Sequence, residues 1–209
     1  MGSRSVFDAR QLLGVPSLYR LVQRVVGSKR SIPRLTKLLA IKPRDRVLDI
    51  GCGPADILEY LPPDVEYHGF DINEEYISAA RNRYGTSGNF TVQSVTIDGA
   101  ERLGQFDVVI AVGVLHHLTD SEADALFKVA YKVLRPGGRV ITLDGAFVGG
   151  QNPIALLLLK LDRGQHVRSP EQYLAIARQS FPCTRTLLLH DLLYVPYTHC
   201  LMEAVRPSQ

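Results

Sequence analysis

The chain has 209 residues, of which 45% are hydrophobic and 22% charged, proportions that suit a globular enzyme with one full core. A net charge of +3 is too small to argue for a nucleic-acid partner. The three cysteines, Cys52, Cys183 and Cys200, have no metal-ligand spacing, so neither a metal site nor a disulfide framework is expected.

The opening "MGSRSVFDAR" lacks the apolar core of a secretory signal, and a cytoplasmic location is expected. Residues 1–40 are patterned as helix, broken near Gly27-Ser28 and again at Ser31 to Pro33, and read as an N-terminal cap. Its basic residues are interleaved with apolar ones, as on an amphipathic surface helix. The domain proper spans 41–209. Arg46–Ile50 reads as a buried strand, Ala55–Leu61 as a helix stopped by Pro62-Pro63, and Glu66–Asp71 as a second strand. Glu74–Tyr84 is a helix closed by Gly85, Phe90–Ile97 a third strand and Phe106–Val112 the fourth.

A helix over Asp120–Leu134 ends at Pro136-Gly137-Gly138, and Val140–Leu143 is the fifth strand. An apolar helix then runs through Leu161. Its longest apolar run, Ile154 to Leu159, is too short to span a bilayer, and no membrane partner is expected. A helix from Glu171 to about Gln179 follows, then strands near Thr186–His190 and Thr198–Val205. Repeated strand–helix units predict a doubly wound α/β fold with a mostly parallel sheet and helices on both faces. The last two strands have no helix between them and should pair antiparallel.

In such a sheet, ligands bind outside the carboxyl ends of the strands at the switch point. Gly51 and Gly53 lie there, and glycine lets a ligand approach the backbone. A phosphate turn would carry a third glycine where this chain has Asp56, and Asp49 stands just before the turn. Two carboxylates repel a pyrophosphate but suit a ligand with a cationic end and hydroxyls. Asp71, ending the second strand, suits the hydroxyls of a ribose, which by itself fits a dinucleotide equally.

The stretches "VLDIGCGPADILEYL", "HGFDIN", "FDVVIAVGVLHHL" and "LRPGGRVITLDG", in order from about Arg44 to Gly145, resemble the class I S-adenosylmethionine-dependent methyltransferases. The resemblance implies a seven-stranded sheet whose last strand is inserted in reverse, and S-adenosylmethionine as cofactor. It implies that Asp49 and the backbone of Gly51, Cys52 and Gly53 hold the methionine end. Asp71 would take the ribose and Ile72 would cover the adenine. Ala111 and Val112 would contact the amino-acid portion. The family commonly has an acid after strand three at the adenine amine. This chain has Ser94 and Val95 there, or Asp98 if the loop is longer, and Ser94 and Val95 are preferred.

On the acceptor side, His116 and His117 follow strand four, and His117 is the candidate base. The insertion at about 146–170 carries "LDRGQHVRSPEQY". It offers His166 as a second candidate base, with Arg163 and Arg168 to anchor an anionic acceptor. Tyr19, with Arg24, would sit on a lid over the site. The expected activity is methylation of a small molecule, with an oxygen acceptor first, by a monomer or homodimer. Protein or RNA methylation, a non-catalytic cofactor-binding module and a dehydrogenase are the alternatives.

Overall fold

The structure, a computed structural model, describes residues 28–100, 102–162 and 164–208. Tyr19 and Arg24 of the expected lid, and Arg163, lie outside the described residues. The first described element is helix α1, Ser28–Leu39, which runs on through Pro33 instead of breaking there. Burial of Leu35 and Leu39 against the sheet offsets the hydrogen bond that proline cannot donate.

The strands are β1 (Arg46–Ile50), β2 (Glu66–Asp71), β3 (Asn89–Val92), β4 (Phe106–Val112), β5 (Leu134–Gly145), β6 (Thr184–Leu189) and β7 (His199–Val205). They form a seven-stranded sheet in the order β3-β2-β1-β4-β5-β7-β6. Neighbours from β3 to β5 are parallel, and β7 runs antiparallel to both β5 and β6. The chain winds outward from β1 through β2 to β3, then returns to place β4 on the other side of β1. That reversal opens the crevice. The expected doubly wound fold, with its reversed final strand, is the observed one.

Helices cover both faces. Packed on one side are α4 (Asp120–Val133), capped by a Thr119–Glu122 box, and α6 (Pro170–Ala177), capped by a Ser169–Gln172 box. On the other are α1 and α2 (Glu74–Tyr84), N-capped by Asn73. A single turn, α3 (Ile97–Ala100), precedes β4, and α5 (Pro153–Leu161) follows β5. No described helix is long and apolar enough to cross a membrane.

Three local readings change. Residues 55–61 form only a 3₁₀ turn, Asp56–Tyr60, because Ala55 is left-handed at φ 57° and the prolines follow at once. Strand β3 ends at Val92, since Ile97 is taken by α3, so Ser94 and Val95 lie in the loop beyond it. Pro136-Gly137-Gly138 falls inside β5 as an irregularity: Phe106 pairs with Leu134 but Val108 with Arg139. A side chain at Gly138 would sit 2.9 Å from the Arg135 carbonyl and 3.0 Å from that of Asp107.

Candidate functional site

At the carboxyl end of β1 the backbone turns sharply, with Gly51 at φ 73° and Gly53 at φ 54°. The two glycines serve different ends. A Cβ on Gly51 would meet Val114 Cγ2 at 2.6 Å, whereas one on Gly53 would meet nothing within 4 Å. Gly51 is dictated by packing, and Gly53 borders open space. The N–H groups of Gly51 and Cys52 both donate to the Phe70 carbonyl, at 2.7 and 3.0 Å, tying the turn to β2. Cys52 is a packing residue: its Sγ would lie 2.8 Å from a Cβ on Gly69, and burial pushes its thiol well up.

Asp71 closes the turn. One carboxyl oxygen accepts from Gly53 N–H at 2.9 Å and the other from Asn73 N–H at 2.8 Å. Each oxygen retains a further acceptor position, so a ribose diol can still be received. Asp49 is buried and accepts from the Tyr67 hydroxyl at 2.5 Å. Burial pushes its carboxyl up to about 7, with Asp71 adding to the rise and the Tyr67 hydrogen bond opposing it. Asp56, expected to charge the loop, instead pairs with Arg83 at 2.5 Å, and Glu59 pairs with the same guanidinium. The acids that face the turn are therefore Asp49 and Asp71.

Ile72 stands just past β2 and is 79% exposed, an apolar surface suited to a flat ring. Ser94 is exposed, while Val95 packs partly against the core. At the end of β4, Ala111 is fully buried and Val112 half-buried. These residues fit the expected cofactor: an open glycine edge, a diol-competent carboxylate and an exposed apolar residue stand at the carboxyl ends of β1 and β2.

Beyond β4 the site becomes polar and buried. Asp144, near the end of β5, accepts from both the backbone N–H of His116, at 3.2 Å, and its Nδ1, at 2.8 Å. His116 Nε2 then lies 3.6 Å from Asp162 Oδ1, and Asp162 Oδ2 accepts from the Tyr197 hydroxyl at 3.0 Å. Burial alone would lower the pKa of His116. The hydrogen bond and charge of Asp144, with the charge of Asp162, outweigh it, so the imidazole sits above its usual value. His199, ring-stacked on Tyr197 at 4.6 Å, is pushed down to about 4 by burial and by its neighbour His116, against Asp162.

His117, the histidine preferred from sequence, is exposed and stacks on His116 at 4.1 Å between ring centroids. His166 donates its backbone N–H to the His116 carbonyl at 3.0 Å. The loop lies so close that a Cβ on Gly164 would strike His116 Cδ2 at 2.1 Å. Arg168 is not an anion anchor. It is buried, and all five of its N–H donors are engaged by Asp120 and the carbonyls of Leu115, Leu118 and His166, at 2.7–2.9 Å. It clamps the insertion to the loop after β4. Next to this cluster, a cleft of about 630 Å³ is bordered by residues 148–152 and 193–198, with Ala155, Leu188, His190 and Asp191. Tyr197 belongs to both.

A reversed seventh strand, with a glycine turn flanked by acids and an exposed apolar residue beside it, is the arrangement expected of a methyltransferase. Residues 48–140 match the family model of a methyltransferase domain, and this match, with the methyltransferases among the chain's relatives, supports the class I S-adenosylmethionine-dependent family and S-adenosylmethionine as cofactor. Among its relatives, 27-O-demethylrifamycin SV methyltransferase of Amycolatopsis mediterranei is 35% identical over 124 residues, covering 56% of this chain and 45% of the relative. The ubiquinone/menaquinone biosynthesis C-methyltransferase of Ectopseudomonas mendocina is 35% identical over 154 residues, covering 67% and 57%. The chain thus spans about half the length of these curated relatives. Phosphoethanolamine N-methyltransferase 2 of Haemonchus contortus, solved with phosphomonomethylethanolamine and S-adenosylhomocysteine, shares the fold. Its TM-score is 0.64 at 18% identity, over 86% of this chain and 53% of that one.

Proposed function

We propose that the protein methylates a hydroxyl oxygen of a small molecule held in the cleft beside Tyr197. The observation that carries this reading is the continuity of that cleft, through Tyr197 and Asp162, with the His116–Asp144 pair. Its volume of about 630 Å³ suits a metabolite and is small for a folded macromolecule. The O-methyltransferase named among the relatives is in keeping with it.

When bound, S-adenosylmethionine supplies a methyl group on a positively charged sulfur, and the S–CH₃ bond electrons return to that sulfur as the O–CH₃ bond forms. Asp49, Gly53, Asp71 and Ile72 would hold and orient the donor, and alignment can supply much of the rate. Asp144 fixes His116 with Nε2 toward Asp162. The hydroxyl proton passes by way of Asp162 to His116, whose raised pKa suits it to receive one. His117 and His166 flank this path. The geometry favours His116 as the base, because a carboxylate stands at each of its ring nitrogens.

The test is methyl transfer from tritiated S-adenosylmethionine to a panel of hydroxylated small molecules, with amines, total RNA and protein as comparison acceptors. Label entering hydroxylated compounds alone supports the reading. Label entering only amines, RNA or protein would replace it.

A further inference from the structure

Arg168 is 6% exposed, yet the side chain of its ion-pair partner, Asp120, is 82% exposed. Such a pair is desolvated on one side and screened by water on the other, which makes it a poor source of stability. What a guanidinium does offer is a rigid planar fork that fixes distances. Nη1 donates to the carbonyls of Leu115 and His166, both at 2.9 Å, and Nη2 to that of Leu118 at 2.7 Å. Leu115 opens the 3₁₀ turn Leu115–His117 and Leu118 follows it. The fork therefore grips the turn that carries His116 at both ends and ties it to the insertion.

His116 is held from two directions. Asp144 belongs to β5 and accepts its backbone N–H and its Nδ1 through one oxygen. Asp162 belongs to the insertion, where it follows α5 and accepts from the Gly164 N–H at 2.9 Å and from the Tyr197 hydroxyl. His116 Nε2 stands 3.6 Å from Asp162, beyond a good hydrogen bond, so this contact is Coulombic and varies with small displacements. Inward slip is blocked, because a Cβ on Gly164 would already lie 2.1 Å from His116 Cδ2 and 2.7 Å from its carbonyl oxygen. Loosening the turn moves the imidazole away from Asp162.

We propose that Arg168 is a positioning residue for the methyl transfer: it holds the His116 turn against the insertion at the spacing that keeps Nε2 beside Asp162. This role rests on the reading of His116 as the base. Asp144, Asp162, His117, His166, Tyr197 and His199 are the titratable groups around the ring or its partners. Asp144 stays with the sheet when the fork is lost, so Asp162 is the carboxylate whose contact Arg168 sets.

The readout is the His116 imidazole, titrated by NMR in histidine-labelled protein and assigned by its absence in His116→Gln. Arg168→Lys keeps the charge but gives up the fork. It should move the His116 midpoint down, toward that of an ordinary imidazole, as Asp162 recedes. Asp162→Asn should lower it as well, and adding Arg168→Lys to Asp162→Asn should bring no further fall. An unmoved midpoint in an Arg168→Lys protein that melts lower but still binds S-adenosylhomocysteine would make Arg168 a structural residue only and overturn the inference. Falls that simply add in the double variant would overturn it too, as would an Asp162→Asn protein with an unmoved midpoint. Arg168→Gln is the second variant, in case Arg168→Lys does not fold. Loss of a cation alone raises an imidazole midpoint, so a fall supports the positioning role and a rise overturns it. None of these titrations needs an acceptor. If label enters only amines, RNA or protein, the oxygen-acceptor reading falls, while the hold of Arg168 on His116 is still decided by its own titration.

Discussion

Asp71→Asn tests the cofactor half of the site most sharply. The carboxylate spans two backbone donors, Gly53 N–H and Asn73 N–H, one on each oxygen. An amide accepts at one end only, so its NH₂ must face one of these donors, and the negative charge is lost as well. If the remaining lone pairs receive the ribose hydroxyls, two charge-assisted hydrogen bonds of about 1.5–3 kcal/mol each are at stake. The sum, about 3–6 kcal/mol, corresponds to a 10²–10⁴-fold rise in the dissociation constant. Calorimetric titration with S-adenosylmethionine measures it, and a thermal melt without ligand separates lost binding from lost folding. A 2′-deoxy analogue adds a coupling test: it should lose affinity for the native protein but little further for Asp71→Asn. A dissociation constant within about threefold of the native value, in a variant that melts normally, would refute the ribose assignment.

Asp49 has its folded carboxyl pushed up to about 7, so at lower pH it is protonated and holds a cationic ligand end poorly. Cofactor affinity should therefore climb about tenfold per pH unit toward that value and level off above it. Tyr67→Phe, which removes the hydrogen bond favouring the carboxylate, should move the midpoint upward; calorimetry at pH 5.5 to 8 reads both. Gly51→Ala forces a methyl to 2.6 Å from Val114 and should lower stability by about 1–3 kcal/mol in denaturant titration. Gly53→Ala meets open space, so its damage should show chiefly in the dissociation constant for the cofactor. His116→Ala should reduce turnover about 10²–10⁴-fold while cofactor affinity holds, and His117→Ala should reduce it far less. Because the reactive His116 is the neutral form and its pKa is raised, kcat/KM should rise with pH to a midpoint above that of an ordinary imidazole. A flat pH profile in the native protein would remove His116 from the mechanism.

Sheet architecture and the cofactor turn were legible in sequence because their signals are local. Strands ending at glycine or acid, helices with capping residues, and a terminal strand pair without an intervening helix each occupy a short window. Where a boundary hung on one backbone angle, as at left-handed Ala55, no pattern announced it. The charges misled in a consistent way. Asp56 reads as a loop carboxylate until Arg83 is folded against it, and Arg168 reads as a surface cation until every donor is taken up inside. The network of His116, Asp144, Asp162, Tyr197 and His199 was the least legible feature. Its members come from separate segments with no common spacing, and only the pairing of β5 with β7 brings the ends of those strands together. Asp162 stands in a charge-rich stretch of sequence, with nothing there to link it to His116.

The reversed run of β7 has an evolutionary reading. Because it lies antiparallel between β5 and β6, the segment entering it, not the one leaving it, borders the cleft. The residues proposed to hold the donor are complete by Val112, inside the stretch of 48–140 that matches the methyltransferase domain, whereas most walls of the proposed acceptor cleft are encoded after it. Two trades thus occupy separate lengths of one gene. On the proposed reading, substitutions in the later length would reshape the acceptor's cleft and leave the donor's edge as it is.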